Sequence, residues 1–248
     1  MNLKEFKENK LTIVEIFNSI SGEGISAGEL VTFVRVAGCN LRCSYCDSTY
    51  SYRDSDEQHR RLSPEVILKR VKNFASKKII CTGGEPLEKN KVKRYLPLYL
   101  IAQGFKVRIE SNGSVPVYSQ EEFNAFGGAE LRKDLAYTLD VKSPSSAMAE
   151  QNIYRENFTK LGINDELKFV VANKNDFEHA LKVLEKYQNI LATNKVTINF
   201  SPVFNQIEAK KLVKLLKSRQ AFFVDKQLKL RLSLQIHKMI WDAEQKGV

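Results

Sequence analysis

The sequence predicts an α/β fold in a single domain, with a largely parallel sheet covered by helices. Short runs rich in Val, Ile, Thr and Phe alternate with amphipathic helical patterns along nearly all of the 248 residues. Strands separated by helices of about ten to fifteen residues are typical of βαβ units, whose strands are parallel. No internal repeat, low-complexity tract or Pro/Gly-rich linker divides the chain. Two architectures fit this pattern, a doubly wound sheet and a complete or partial barrel.

The strands are predicted where β-branched and aromatic residues cluster. In chain order they are Leu11–Phe17, Val31–Val36, Lys78–Cys81, Lys106–Ile109, Tyr137–Val141, Leu167–Val171, Val196–Phe200 and Leu228–Leu232. Helices are predicted from Ser63 and Pro64 onward, around Val92–Ala102, and over Asp176–Tyr187 and Ile207–Leu216. Pro64 suits a first helical position, where its missing N–H costs nothing. Seven or eight strands in a chain of this length favour an abbreviated barrel.

Composition and charge exclude several classes of protein. Lys and Arg number 39 against 29 Asp and Glu, a formal net charge of +10, and 43% of the residues are hydrophobic, which disfavours a disordered chain. No apolar run approaches the ~20 residues of a membrane span, and the charged first ten residues do not resemble a secretory signal. We therefore expect a cytoplasmic protein that contacts no membrane. The lysines fall on helical patterns without interleaved aromatics, so we expect no direct nucleic-acid binding.

The loops that follow the predicted strands carry the candidate functional residues. They are rich in Gly, Ser, Asn and charge, and they comprise Ala37–Tyr50, Thr82–Pro86, Glu110–Ser114, Lys142–Ser146 and Ser201–Asn205. In both candidate architectures ligands bind at the carboxyl ends of the parallel strands, where these loops meet. The sequence therefore predicts an active site at that end of the sheet.

Cys39, Cys43 and Cys46 form a C-x3-C-x2-C motif on one of these loops. Three thiolates on a short loop can hold three corners of a cubane iron–sulfur cluster and leave the fourth iron open to a ligand. The alternative is a zinc site closed by a fourth protein ligand. Candidates for that ligand are Cys81, His59 and His237. Cys81 lies within a predicted strand and is interpreted as a core residue, and the helical pattern around His237 predicts a surface or structural position.

The cysteine motif, with Tyr45 before its last cysteine, resembles the signature of the radical S-adenosylmethionine (SAM) superfamily. The segment Thr82–Pro86, which reads TGGEP after a predicted strand, resembles the glycine-rich segment by which that superfamily binds SAM. The resemblance implies a partial TIM-type β/α barrel, a 4Fe–4S cluster on Cys39, Cys43 and Cys46, and SAM on the open iron. It implies that residues 1–248 form one radical SAM core domain, with the cluster loop at 37–50 and a C-terminal closing segment at about 221–248.

Further segments resemble the 7-carboxy-7-deazaguanine synthase family of queuosine biosynthesis, in the family's order. They are Ser19–Gly24, Phe33–Cys39, Cys46–Ser48, Glu110–Gly113, Lys142–Ser146 and Leu232–His237. The chain departs from the family pattern at Ser21, where the family has Gln. The alternative is an activating enzyme that installs a glycyl radical on a partner protein. Such enzymes share the cysteine spacing but typically carry His where this chain has Asp47.

The resemblance implies a lyase that converts 6-carboxy-5,6,7,8-tetrahydropterin to 7-carboxy-7-deazaguanine with loss of ammonia. SAM cleavage generates a 5′-deoxyadenosyl radical that takes hydrogen from C6, and SAM is then regenerated. No obligatory catalytic side chain is expected, because the cofactor carries the radical chemistry. The family pattern also implies Mg²⁺ at Ser48, a homodimer, and a flavodoxin- or ferredoxin-type electron donor.

The same resemblance, with the strand-end positions, selects the candidate site residues. The substrate-binding candidates are Ile20, Ser21, Gly22, Glu23, Arg35 and Thr82. The SAM-binding candidates are Tyr45, Gly83, Gly84, Glu85, Ser111, Asn112, Asp140, Lys142 and Ser143. Glu85 is expected to face the SAM amine, and Arg35, a charged residue on an otherwise apolar strand, is expected to bind the pterin carboxylate as a planar fork. An ion pair of Arg35 with Glu15 or Glu23 is the alternative.

Overall fold

A single nine-stranded sheet organises the computed structural model, which describes residues 1–54, 57–243 and 245–248. The strands are β1 (Leu11–Ile20), β2 (Leu30–Val36), β3 (Arg60–Leu62), β4 (Lys78–Gly83), β5 (Lys106–Ser111), β6 (Leu135–Val141), β7 (Glu166–Val171), β8 (Thr197–Pro202) and β9 (Lys229–Leu232). Across the sheet their order is β3-β1-β2-β4-β5-β6-β7-β8-β9. In the described part of the chain β3 and β9 are edges that do not pair with each other, so the sheet is open. This confirms the prediction of an incomplete β/α barrel.

The sheet is parallel from β2 through β4 to β9, as predicted. Strand β1, however, pairs antiparallel with both β2 and β3, an arrangement that the sequence pattern did not indicate. Only residues 21–29 separate β1 from β2, whereas a parallel crossover needs about a dozen residues or more. The short connection therefore forces the chain to turn back on itself. The short β3 was not predicted.

The helices are α1 (Leu3–Lys7), α2 (Pro64–Lys72), α3 (Leu96–Ala102), α4 (Gln120–Asn124), α5 (Tyr154–Phe158), α6 (Lys174–Thr193), α7 (Ala209–Ser218), α8 (Gln220–Asp225) and α9 (His237–Ile240). Helix α2 begins as predicted, with the Ser63 hydroxyl accepting from the backbone N–H of Val66 at 3.4 Å. The helix predicted over Val92–Ala102 starts as a 3-10 turn before α3. None of the helices in the described ranges is long and apolar enough to cross a bilayer.

The two faces of the sheet differ in chemistry. Outward-facing residues such as Val34, Cys81, Ile109 and Leu167 are completely buried against the helices. Burying one side chain of this kind stabilises the fold by about 1.5–3 kcal/mol. Cys81 is thus a core residue, as predicted. Because side chains alternate along a strand, the residues between these apolar positions point into the barrel.

The open side of the barrel is covered by the segment that follows β9. The backbone N–H of Ile236 donates to the carbonyl of Gly22 at 3.0 Å, and the N–H of Gly24 donates to the Ser233 hydroxyl at 2.9 Å. On the other side of the same loop, the N–H of Ile25 donates to the Glu166 carboxylate at 2.9 Å. The loop after β1 is therefore held between β7 and the C-terminal segment, across the gap that the open sheet leaves.

Candidate active site

A cavity of about 260 Å³ lies at the carboxyl ends of the parallel strands. It brings together most of the predicted site residues, which come from the cysteine loop, the strand-end loops and the loop after β1. These are Ile20, Gly22, Glu23, Arg35, Cys39, Cys43, Cys46, Ser48, Thr82, Gly83, Gly84, Ser111, Asn112, Asp140 and Lys142. Four other predicted residues, Ser21, Tyr45, Glu85 and Ser143, are not in its lining.

The three motif cysteines are free, half-buried thiols on one short loop, and all three line the cavity. The backbone N–H of Cys46 donates to the carbonyl of Cys43 at 3.3 Å, which tightens the loop. In the described ranges no three Cys, His, Asp or Glu side chains converge as ligands of a single metal ion. A cubane cluster is much wider than one ion, so its ligands need not converge. Three thiols around one open cavity therefore fit the donor set of a 4Fe–4S cluster.

The glycine-rich segment after β4 packs directly on the backbone that leads into the cysteine loop. The N–H of Gly84 donates to the carbonyl of Val36 at 2.9 Å, and the N–H of Glu85 donates to that of Gly38 at 2.8 Å. A Cβ at Gly84 would overlap the Gly38 carbonyl. Glycine is required here for the contact between the two loops.

Glu85 does not occupy the position expected from the sequence. Its side chain is 0% exposed, and its carboxylate accepts the backbone N–H of Leu87 at 2.8 Å and that of Asn112 at 2.7 Å. Burial raises the pKa of Glu85 above its ordinary value. The expectation that this carboxylate faces the SAM amine is therefore corrected: Glu85 joins the loop after β4 to the loop after β5.

The other three residues outside the lining also serve as local supports. The Tyr45 hydroxyl lies 3.2 Å from that of Ser143, which in turn donates to the carbonyl of Val170 at 3.0 Å. The Ser21 hydroxyl donates to the carbonyl of Glu23 at 3.2 Å. The departure from the family pattern at position 21 therefore changes a side chain that is buried within its own turn.

Arg35 is shared between an ion pair and the cavity. Its Nε donates to a carboxylate oxygen of Glu15 at 2.7 Å. The ion pair with Glu15, which the sequence offered as an alternative to carboxylate binding, is therefore one of its contacts. Its terminal nitrogen Nη1 lies 3.5 Å from the Ser48 hydroxyl, and the residue lines the cavity. Glu15 thus holds the guanidinium of Arg35 from one side. The other edge of the guanidinium faces the space that a ligand would occupy.

Several charged residues of the cavity were missed as site residues, among them Lys168 on β7 and Glu110 on β5. Lys168 Nζ lies 2.6 Å from a carboxylate oxygen of Glu23. Burial lowers the pKa of Lys168, but the Glu23 and Asp140 carboxylates outweigh it and raise the pKa overall. Burial raises the pKa of Glu110, which accepts a hydrogen bond from the Thr82 hydroxyl at 2.8 Å. The sequence does contain a signal for these two residues, because charged residues occupy alternate positions of β5 and β7 and most of the residues between them are apolar.

His237, which was expected at a surface or structural position, also lines the cavity. Its ring packs against Gly22 so closely that a Cβ at position 22 would overlap it. Burial lowers the pKa of His237 below its ordinary value. The helical pattern around His237 could not predict its contact with Gly22, because the two residues are more than two hundred positions apart in sequence.

The sequence of this chain is similar to those of known proteins. The model of the Radical SAM superfamily matches residues 33–216. The 7-carboxy-7-deazaguanine synthase of Clostridium acetobutylicum is 35% identical over 236 residues, which cover 95% of this chain and 98% of that protein. The enzyme of the same name from Koribacter versatilis is 33% identical, over 96% of this chain and all of its own length (100%).

One solved structure shares the fold. The crystal structure of QueE from Escherichia coli superimposes with a TM-score of 0.64 and covers 94% of this chain and 97% of its own. Its sequence is 19% identical to this chain, so the similarity concerns the fold alone.

Proposed function

The chain belongs to the 7-carboxy-7-deazaguanine synthase family within the radical SAM superfamily, and on this premise we propose that it converts 6-carboxy-5,6,7,8-tetrahydropterin to 7-carboxy-7-deazaguanine with loss of ammonia, in queuosine biosynthesis. The observation that carries the proposal is that the three motif cysteines, the Arg35 guanidinium and several other charged groups line one and the same cavity. Such a cavity can hold a cluster-bound cofactor and a polar, anionic substrate side by side.

A 4Fe–4S cluster on Cys39, Cys43 and Cys46, together with SAM, supplies the hydrogen-abstracting radical when bound. The residues proposed to contact SAM are the strand-end residues Gly84, Ser111, Asn112, Asp140 and Lys142. Asp140 supports this role, because one of its carboxylate oxygens accepts from Lys142 Nζ at 2.6 Å while the other is buried without a hydrogen-bond partner among the described residues. A buried acceptor of this kind is costly unless a ligand such as a ribose hydroxyl satisfies it.

Arg35 binds the substrate carboxylate in this proposal. Glu15 occupies Nε and leaves the terminal nitrogens directed toward the cavity. A guanidinium presents its donors in a planar fork that matches a carboxylate, and here the fork is held in place before the substrate arrives. Its function is to orient the pterin so that C6 faces the cofactor.

The bicyclic ring of the pterin lies against Ile20 and Gly22, with the carboxylates of Glu23 and Glu110 as acceptors for its amino-pyrimidine edge. Burial raises the pKa of Glu23, but Lys168 and Gln235 outweigh it, so the pKa is lowered and the group is ionised at neutral pH. Gln235 Nε2 donates to Glu23 at 2.8 Å, which fixes the carboxylate from the C-terminal segment. An ionised and immobilised carboxylate is suited to accept paired N–H groups.

Mg²⁺ is proposed beside Ser48, in company with the substrate. The Ser48 hydroxyl donates to the Asp47 carboxylate at 2.8 Å, so two oxygen donors of the kind Mg²⁺ prefers lie together. The Arg35 guanidinium is only 3.5 Å from the same hydroxyl and repels a bare cation. The ion is therefore expected to bind together with the substrate carboxylate, whose negative charge reduces the repulsion between the two cations.

The remaining proposals rest on the family resemblance. We propose that residues 1–248 act as one radical SAM domain, that the protein is a cytoplasmic homodimer, and that a flavodoxin- or ferredoxin-type protein supplies the electron. Analytical ultracentrifugation of the reconstituted protein tests the dimer, and a monomer at micromolar concentration contradicts it.

The proposed reaction is tested by anaerobic turnover of the reconstituted protein with SAM, Mg²⁺, a reductant and 6-carboxy-5,6,7,8-tetrahydropterin. We expect a product with the absorbance and mass of 7-carboxy-7-deazaguanine and one ammonia released per product. Absence of product from protein with a complete cluster contradicts the proposed function. The Cys39→Ala variant, assayed in parallel, measures the background.

A further inference from the structure

Two N–H groups are directed at the sulfur of Cys39. The backbone N–H of Leu41 donates to Sγ at 3.5 Å, and the side-chain Nδ2 of Asn112 donates to it at 3.8 Å. The first contact lies within the cysteine loop itself. The second comes from the end of β5, 73 residues along the chain, and joins the loop to the rigid sheet.

The orientation of the Asn112 amide is determined by its other contacts. Its Oδ1 accepts the backbone N–H of Ser114 at 3.0 Å, and a backbone nitrogen can only donate. The amide nitrogen must therefore be the atom that faces Cys39 and Asn40, where one of its hydrogens is donated to Asn40 Oδ1 at 2.9 Å. The second hydrogen is left for the sulfur, so the amide cannot be turned over without losing these bonds.

Three side chains close this arrangement into a ring of hydrogen bonds. Asn112 donates to Asn40, Asn40 Nδ2 donates to the Ser114 hydroxyl at 2.8 Å, and that hydroxyl donates back to Asn112 Oδ1 at 2.7 Å. Each donor points the same way around the ring, which therefore has one consistent orientation. The backbone of Asn112 is fixed in addition by the buried carboxylate of Glu85, at 2.7 Å. The N–H aimed at Cys39 is thus held in place by several bonds.

We propose that Asn112 is a positioning residue that raises the reduction potential of the 4Fe–4S cluster by hydrogen bonding to the Cys39 sulfur. The inference rests on the proposed function, because it requires the cluster on Cys39. Hydrogen bonds to the sulfurs are among the features that set the potential of such a cluster. An N–H near the sulfur stabilises the extra negative charge that the cluster carries after it accepts one electron from the external reductant. The proton stays on the amide, and no bond to Asn112 forms or breaks.

The direct test is the midpoint potential of the reconstituted Asn112→Leu protein beside that of the wild type. Leucine has a similar shape without a donor, and the titration is done without SAM, so that any contact of Asn112 with SAM does not contribute. We expect the ratio of reduced to oxidised cluster at a fixed potential to fall about tenfold, which is about 59 mV for one electron. Electron paramagnetic resonance of the reduced cluster and iron and sulfide analysis report the loading. An unchanged potential at full loading overturns the proposal.

A second pair of variants covers the case in which Asn112→Leu does not retain its cluster. Asn112→Asp and Asn40→Asp are both isosteric and both add a negative charge beside the cysteine loop, but only the first removes the N–H that donates to the Cys39 sulfur. We expect the potential of Asn112→Asp to lie below that of Asn40→Asp, and equal potentials overturn the proposal. A wild-type protein that does not assemble a cluster on Cys39, Cys43 and Cys46 contradicts the proposed function, and the inference with it.

Discussion

The two halves of the cavity are built differently. The cluster half consists of half-buried thiols on one short loop, held by backbone and amide hydrogen bonds from the loops after β4 and β5. The substrate half consists of ion pairs that join different strands and loops, such as Arg35 with Glu15 and Lys168 with Glu23. The first arrangement suits a cofactor that supplies its own chemistry, and the second suits recognition of one polar molecule. The two halves should therefore be separable by mutation.

The largest effect is expected in the cluster half. Cys39→Ala removes one of three cluster ligands, so we expect loss of the cluster and of all SAM cleavage. Iron and sulfide analysis and the visible absorbance of anaerobically reconstituted protein measure this. The matched control is Cys81→Ala, which removes a thiol buried in the core behind β4. That change should cost about 1 kcal/mol of stability and leave the iron content unchanged. Full iron in Cys39→Ala would refute the ligand assignment.

The next effect is expected in the substrate half. Arg35→Ala removes the proposed carboxylate fork, and loss of one partner of a close charge pair typically costs about 2–5 kcal/mol, or about 30-fold to several thousand-fold in rate. Arg35→Lys should recover only part of this, because an ammonium lacks the fork. Product formation is measured beside iron content, which should not change. Exposed Arg155 provides the control Arg155→Ala, and wild-type turnover in Arg35→Ala would disprove the assignment.

A smaller effect is expected from the proposed magnesium site. Ser48→Ala should raise the Mg²⁺ concentration needed for half-maximal activity by about 10-fold or more, while chelation of Mg²⁺ should abolish turnover of the wild type. The measurement is the rate of product formation across a Mg²⁺ titration. Thr49→Ala, at the neighbouring exposed hydroxyl, is the control and should leave the titration unchanged. A chelated wild-type enzyme that works at full rate would remove the ion from the mechanism.

The smallest effect concerns pH and the contact between His237 and Gly22. Burial lowers the pKa of His237 in the folded protein, so the unfolded chain takes up the proton first as the pH falls. The stability contributed by His237 is thus complete above its ordinary pKa of about 6.5 and is lost as the pH falls through the lowered value. Between about pH 7.5 and 5.5, the thermal midpoint of His237→Gln should fall less than that of the wild type. The difference between the two proteins should be no more than about 2 °C, because the half-buried ring is partly screened. Identical pH profiles would contradict this.

The comparison also explains how much could be predicted from the sequence. The cluster half could be predicted because its cysteines lie in one short motif and its glycines in another, and each motif records the spacing of its residues directly. Glu85 belongs to that motif, yet its carboxylate turns toward backbone N–H groups of two loops. Residue type alone cannot distinguish a buried carboxylate that braces loops from one that faces a ligand.

The substrate half was harder to predict, because its contacts are long-range. Charged residues at alternate positions of β5 and β7 are typical of a polar barrel interior, so Lys168 and Glu110 could have been found from that pattern although they were missed. The position of His237 against Gly22 could not be predicted, because it depends on how the C-terminal segment crosses the open side of the sheet. The antiparallel β1 followed from the short connection to β2, a constraint of chain length that residue patterns do not express.

The separation of the two halves is tested most directly by anaerobic calorimetry of 6-carboxypterin, a stable analogue of the substrate, binding to three proteins. These are the wild type, Arg35→Ala and Cys39→Ala. We predict that Cys39→Ala binds the pterin with nearly wild-type affinity although it lacks a cluster, whereas Arg35→Ala loads its cluster fully and binds the pterin at least about 30-fold more weakly. Wild-type pterin affinity in Arg35→Ala, or loss of pterin binding in folded Cys39→Ala, would contradict the separation of the cavity into a cofactor half and a substrate half.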